Sequence, residues 1–364
     1  MLKQFIFIFT LLAITSCTPS NDSSRELHEH ADNTQNDSQQ HDDLQRDSSN
    51  LIEDDLQTSF ENIINLFDQL SFFEPPKLVD CTLSGGTKTR CASITFKPQP
   101  ASMKIGPWCP RNISDGPEKS GIWLENGNVY DADGAFITQL SELYNDDKWQ
   151  MFDEETGKIY VTDTKIACKA AAKPIVEEEY YNYCVECQVS YMDSDSSNTY
   201  IIPLQPNKAS PSKTSKHIGR LGVGIAFSGA LIDASAPTND ILAEHTLAPF
   251  DDCGGHVNLH SGYHIHAITD KENCLKNIKN NSGDTAAIGI AMDGYMIHRL
   301  DPNATDLDSC GGHETGSMGY HYHAAAPGKN AILACHTGET GCSLNDTSET
   351  CDASAPTKRP RPPR

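Results

Sequence analysis

One fourteen-residue pattern occurs twice in this chain, without a gap. Residues 253–266 read Cys253-Gly254-Gly255-His256, five residues, then Gly262-Tyr263-His264-Ile265-His266. Residues 310–323 read Cys310-Gly311-Gly312-His313, five residues, then Gly319-Tyr320-His321-Tyr322-His323. Eight of the fourteen positions are identical, and the shared letters are Cys, Gly, His and Tyr, so bias toward common helix formers does not explain them. A strand places His-x-His on one face, and neutral imidazole is the commonest metal-ligating side chain. A third ring from the Gly-Gly-His turn completes a set of three in each copy.

The repeat extends upstream. Gly224-Ile225-Ala226-Phe227-Ser228-Gly229-Ala230-Leu231-Ile232 matches Gly289-Ile290-Ala291-Met292-Asp293-Gly294-Tyr295-Met296-Ile297 at five of nine positions. Each segment reads as two short strands around a Ser-Gly or Asp-Gly turn, the chemistry of a tight hairpin. The spacer to the cysteine is 29 residues in the first half (224 to 253) and 21 in the second (289 to 310). A surface loop tolerates that difference. The pattern predicts a mainly β fold, with α+β as the alternative, and a duplicated hairpin plus His-x-His strand unit in the C-terminal half. Whether the two sites face each other or lie apart stays open.

The tetrad Tyr320-His321-Tyr322-His323 resembles the one that names the YHYH proteins. The resemblance runs from Cys81-Thr82-Leu83-Ser84-Gly85-Gly86 through Ile105-Gly106-Pro107-Trp108-Cys109-Pro110, Tyr130–Phe136 and Val161–Lys165 to about Cys342. The first copy departs from the name at Ile265, on the opposite strand face from the ring pair. The resemblance implies an exported, often lipid-anchored bacterial protein. It supplies no reaction.

Residues 1–16 hold one lysine and an apolar run from Phe5 to Ile14, too short for a bilayer span and suited to a signal-peptide core. Ile14-Thr15-Ser16-Cys17 fits a lipoprotein cleavage box, with Cys17 as the lipidated first residue. The expected location is the cell envelope, outer membrane or cell surface, and the expected partner is the membrane through that anchor. Residues 17–50 are polar and acidic and read as a disordered tether. Residues 51–215 form a β-rich region with short helices, opening with an amphipathic helix that carries Leu56, Phe60, Ile63, Ile64, Phe67 and Leu70. Residues 216–345 hold the duplicated domain, and 346–364 read as a disordered tail. The net charge of −22 argues against nucleic acid as a partner.

Thirteen cysteines less Cys17 leave twelve, an even set in an exported chain, so disulfides are expected. Cys81 and Cys91 flank a Ser-Gly-Gly turn. The repeat favours Cys253–Cys274 and Cys310–Cys335, while Cys335 and Cys342 also flank a short loop, and one cysteine cannot serve both pairs. Cys184-x-x-Cys187 has zinc-knuckle or redox spacing without a second such pair, which favours structural bridges.

The middle region predicts a hairpin across Asn126-Gly127, a helix through Phe136, Ile137, Leu140, Leu143 and Tyr144, a strand over Lys158–Thr162 and a helix over Lys165–Ala172. Asp131-Ala132-Asp133-Gly134 lacks the acids of a calcium loop and reads as a turn. No catalytic residue is assigned. The metal set is His256, His264 and His266 with His313, His321 and His323, suited to copper or zinc with an open position. His260, His298 and His336 are spare candidates, and His28, His30 and His41 lie in the tether. Asp251 and Asp308, two residues before each cysteine, either orient a ligand ring or start the turn. These residues point to metal capture or delivery in the envelope. The alternatives are a metal-dependent hydrolase or copper oxidoreductase, and a metal-free, disulfide-stapled module binding envelope polymers.

Overall fold

The computed structural model describes residues 53–210, 221–269, 274, 286–316, 318–344 and 350–355. The segments expected to be a signal peptide and a tether, with Cys17, His28, His30 and His41, and the basic tail from Lys358 lie outside the described residues. The fold is mostly β, with 28% of the described residues in strands against 18% in helices.

A helix over 53–64 (α1) opens the described chain. It is shorter than the apolar spacing predicts. Ile63 and Phe67 are buried, while Leu70, beyond the helix, is 68% exposed. Strands β1 (Lys77–Thr82) and β2 (Lys88–Phe96) follow as an antiparallel pair. Then comes the hairpin β3 (Ile122–Glu125) and β4 (Asn128–Asp131). Its turn residues Asn126 and Gly127 have φ of 52° and 79°, the double left-handed conformation that matches strand twist.

Helix α2 (Gly134–Leu143) starts where Asp133 accepts the Phe136 N–H at 2.9 Å. Asp131-Ala132-Asp133-Gly134 is thus a helix start, with Asp133 satisfying an orphan donor. Helix α3 (Lys165–Ala171) is capped by Thr164 in the same way. Residues Lys158–Thr162 differ from the strand expected of them. Lys158, Ile159 and Val161 make only isolated bridges, to Asn112, Phe152 and Cys184, because no one segment runs beside them.

The rest of the chain supplies β5 (Asn198–Pro203), β6 (Gly224–Ala226), β7 (Leu231–Ile232), helix α4 (Thr238–Ala243), β8 (Gly255–Asn258) and β9 (Gly262–Ile265). It continues with β10 (Ala287–Ala291), β11 (Met296–His298), β12 (Gly312–Thr315), β13 (Gly319–His323), β14 (Cys342–Leu344) and β15 (Cys351–Asp352). An eight-stranded sheet has the order β12-β13-β11-β10-β6-β7-β9-β8. Each half contributes the same four strands: a hairpin, then a second hairpin whose last strand runs parallel to the first hairpin's second strand.

The halves join through antiparallel β6 and β10, with Ile225 directly opposite Ile290. These two residues are equivalent in the repeat, so a pseudo-two-fold axis passes through their pair. Gly224 lies opposite Ala291 and Ala226 opposite Gly289, as such an axis requires. Symmetry therefore sends β8/β9 and β12/β13 to opposite ends of the sheet.

Both faces of this sheet are covered. Ile225, Leu231 and Ile290 pack with Ala92, Ile94, Phe96 and Ile202 of β2 and β5. Ile232, Val257, Tyr263, Ile265, Ile297 and Tyr322 face a second core that includes Trp108. Burial on two sides accounts for strands with no polar alternation, such as Gly224–Ala226.

The boundary expected near residue 215 does not separate two packing units. Strands β14 and β15 return to complete the N-terminal sheet, in the order β14-β5-β2-β1-β15. Residues 350–355 therefore belong to the fold and not to a disordered tail. Cys351 is bridged to Cys342, and β15 pairs in parallel with β1. The described residues contain no helix long and apolar enough to cross a membrane.

Six disulfides use all twelve cysteines after Cys17. They are Cys81–Cys91, Cys109–Cys184, Cys168–Cys187, Cys253–Cys274, Cys310–Cys335 and Cys342–Cys351. Cys335 takes Cys310, leaving Cys342 for Cys351. The Cys184-x-x-Cys187 pair divides between two bridges, so the two cysteines are joined to Cys109 and Cys168 and not to each other.

Ile225 and Ile290 are fully buried at the axis. Ile225→Ala and Ile290→Ala should each cost about 2–5 kcal/mol, read as a lower denaturation midpoint at unchanged slope. A loss under about 0.5 kcal/mol at both positions would remove the axis from the core.

Candidate metal centres

The two hairpins β8–β9 and β12–β13 build the same site from the same parts. Register places His256 directly opposite His264, and His313 directly opposite His321. Cross-strand partners project from one face. His266 and His323 follow two residues later on that face. Tyr263, Ile265 and Tyr322 alternate to the other side and are buried in the core.

The Cys-Gly-Gly-His turn sets this register. Gly254 and Gly311 have φ of 76° and 88°, a conformation that favours glycine. Gly255 and Gly312 are glycine for a different reason. A Cβ at Gly255 would lie 2.6 Å from the Tyr263 hydroxyl, and one at Gly312 only 2.3 Å from that of Tyr320.

Each tyrosine thus lies over the second glycine and reaches an aspartate. Tyr263 donates to Asp251 Oδ1 at 3.0 Å, and Tyr320 to Asp308 Oδ2 at 2.7 Å. The same aspartates accept the N–H groups of Cys253 and Gly255, and of Cys310 and Gly312. Asp251 and Asp308 therefore clamp the turns and do not contact the rings. Burial raises the Asp251 carboxyl to about 6, against the pull of its hydrogen bonds.

Ring orientation carries the chemistry. His264 Nδ1 lies 3.0 Å from the Gly262 carbonyl, His321 Nδ1 3.0 Å from that of Gly319, and His323 Nδ1 2.8 Å from that of Arg299. His266 Nδ1 meets the carbonyl of Ala234, and His313 Nδ1 meets Asp306 Oδ1 at 2.8 Å. The backbone of Ala248 and Pro249 faces the His256 ring and favours its protonated form, against the larger effect of burial. Carbonyls and carboxylates accept only, so each of the five named Nδ1 atoms carries the proton. The neutral ring then presents a bare lone pair at Nε2.

Those lone pairs converge. Nε2 of His256 and His266 are 3.2 Å apart, those of His313 and His321 3.2 Å, and those of His313 and His323 3.1 Å. Two unprotonated nitrogens cannot hydrogen-bond each other. An ion held tetrahedrally at about 2.0–2.1 Å from each nitrogen would set them roughly 3.3 Å apart, so these three spacings fit, and all ligand atoms of each triad lie within 4.8 Å of one another. Each triad can hold a metal ion.

Burial keeps the rings in the ligand form. Desolvation holds His256 well below the ordinary imidazole range, and the neighbouring His264 and His266 add to the effect. Burial likewise lowers His264, takes His266 to about 3 and lowers His321.

Of the spare candidates, His336 is buried against the Val223 carbonyl at 2.7 Å, and His260 lies in the exposed β8–β9 turn. His298 stands beside the second triad, with its ring centroid 4.8 Å from that of His321. Sequence reading missed Asp306 and the carbonyls that orient the rings. Backbone acceptors leave no trace in side-chain letters.

Residues 199–306 match the family model described as YHYH protein. Over those residues the chain is similar to the YHYH family. The match contains the whole first triad, strands β6 to β11 and all of β5 but Asn198. It ends before the second copy, so the literal Tyr320–His323 tetrad lies beyond the matched YHYH segment. No curated protein and no solved structure matches the chain.

Asp306 is a carboxylate that orients a ligand ring, holding His313 Nδ1 at 2.8 Å. Asp306→Ala should weaken metal binding at the second site about 10–100-fold and leave the first unchanged, as measured by competition with a chelator. Equal weakening at both sites, or none, would deny it that role.

Proposed function

We propose that this protein is an exported, lipid-anchored metalloprotein that binds two ions of copper or zinc, one in each half of its duplicated domain. The observation that carries the reading is the convergence of Nε2 lone pairs while Nδ1 is committed to an acceptor. Imidazoles that served only as packing would have no reason to share one tautomer in five rings. Three neutral imidazoles suit zinc or copper(II) and leave one position open.

Export is supported by the apolar run ending at Cys17 and by six disulfides, which persist in oxidising compartments. In that setting the protein captures, holds or delivers metal at the cell envelope. A second reading, a zinc-assisted hydrolase or copper oxidoreductase, draws support from a cavity lined by His256, His264 and His266 of the first triad. An ion there would polarise a bound oxygen or lower the pKa of a bound water.

Elemental analysis of protein purified without a histidine tag should find about two ions per chain. His264→Ala/His266→Ala should remove one of them, and His321→Ala/His323→Ala the other. Loss of both ions from either double variant, with the fold intact by circular dichroism, would indicate a shared centre. Acid should release metal as protons compete for the rings. At the first site release should fall below about pH 6.5, because burial has lowered the proton affinity of its rings. A wild type that carries no zinc, copper or iron, and takes none up, would leave the histidines as turn-packing residues.

A further inference from the structure

The halves also differ where Asp233 and His298 stand beside the rings. In the second, parallel pairing of β11 with β13 puts His298 opposite His323. Its ring centroid is 4.8 Å from that of His321 and 6.0 Å from that of His323. The repeat offset of 65 residues (224 to 289) makes Asp233 the equivalent of His298. Backbone hydrogen bonds agree. His266 Nδ1 bonds the carbonyl of Ala234, as His323 Nδ1 bonds that of Arg299.

The shorter Asp233 leaves room where His298 puts a ring. It lines a cavity of about 270 Å³ together with His256, His264 and His266. Trp108, Ala171, Val176, Val185 and Ile241 give this cavity apolar walls. Glu186 also borders it, but its carboxylate is already engaged by the Cys109 N–H and by Arg111. Of the six disulfides, Cys168–Cys187 and Cys109–Cys184 fix the chain that forms these walls.

We propose that the first site keeps an open metal position facing this cavity and binds there a small, uncharged, largely apolar molecule through one nitrogen or oxygen donor, whereas His298 fills the equivalent place of the second site. The inference rests on metal binding by both triads. Three imidazoles leave a tetrahedral ion one position short. Apolar walls favour an apolar body in proportion to the area covered. The Asp233 carboxylate disfavours a second anion and can accept an N–H or O–H from the incoming molecule.

The test uses the full chain loaded with cobalt(II), whose visible spectrum reports its ligands. Imidazole and 4-phenylimidazole are titrated against it after the cobalt content is measured. Binding should change the spectrum of one cobalt of the two, and 4-phenylimidazole should bind at least about tenfold more tightly than imidazole, from burial of its phenyl ring. His321→Ala/His323→Ala should keep this response, and His264→Ala/His266→Ala should lose it.

Ile241→Trp, which narrows the cavity without touching a ring, should keep two cobalt ions and remove the preference for the phenyl group. Asp233→His should keep both ions and weaken imidazole binding at least tenfold by supplying an internal fourth ring. Two bound ions with equal response at both sites, with no response, or with an unchanged phenyl preference in Ile241→Trp would overturn the inference while sparing the metal reading. Failure to bind cobalt, zinc or copper would overturn both.

Discussion

The arrangement of both halves depends on a tyrosine ring lying over a glycine. Tyr263 and Tyr320 occupy the space that a side chain at Gly255 or Gly312 would need. From there each hydroxyl reaches the aspartate that already holds the N–H groups of the turn. This contact fixes how the second strand of each hairpin lies against the first. It thereby places His256 against His264 and His313 against His321. The rings themselves contribute little to that alignment. Their Nε2 lone pairs face one another, a repulsive arrangement in the absence of a cation. The Asp-Gly-Gly-Tyr clamp, with a disulfide beside each turn, offsets that repulsion and keeps the ligand set assembled.

A second consequence follows from how the halves join. Antiparallel pairing at Ile225 and Ile290 makes one sheet from two units and fuses their cores. It also directs the two histidine hairpins outward, to opposite ends of the strand order. Two equivalent sites on one sheet are then free to diverge. One has acquired walls from the N-terminal region, and the other a neighbouring ring, His298, beside its triad. Disulfides are well suited to this design, since several strands have only two to four residues and bury little surface apiece. Cross-links reduce the entropy of the unfolded chain where short strands cannot supply enough contact.

Much of this was legible in the letters, for reasons that differ by element. The His-x-His spacing needs only the period of a strand, so the ring pairs of β9 and β13 could be read directly. The Asn126-Gly127 turn was legible because two successive left-handed residues are chemically rare. Tandem repetition gave the duplication, and the 65-residue offset also held the equivalence of Asp233 with His298, although only the register of β7 and β11 gives that substitution its meaning. Relative placement of the sites was not legible, because it depends on which strand edges meet at the axis. Nor was the exchange between Cys184, Cys187 and their partners Cys109 and Cys168, which depends on tertiary path. The strand expected at Lys158–Thr162 failed because local β preference cannot supply a neighbour. The return of Cys351 to β1 lay beyond any local pattern.

X-ray absorption at the metal edge tests the account's central claim most directly. Two separate three-imidazole centres predict a first shell of nitrogen or oxygen only, at about 2.0–2.1 Å. They also predict outer-shell scattering from imidazole rings and no second metal nearby. A sulfur shell at about 2.3 Å, or a metal neighbour within about 4 Å of the kind found in paired sites, would contradict it.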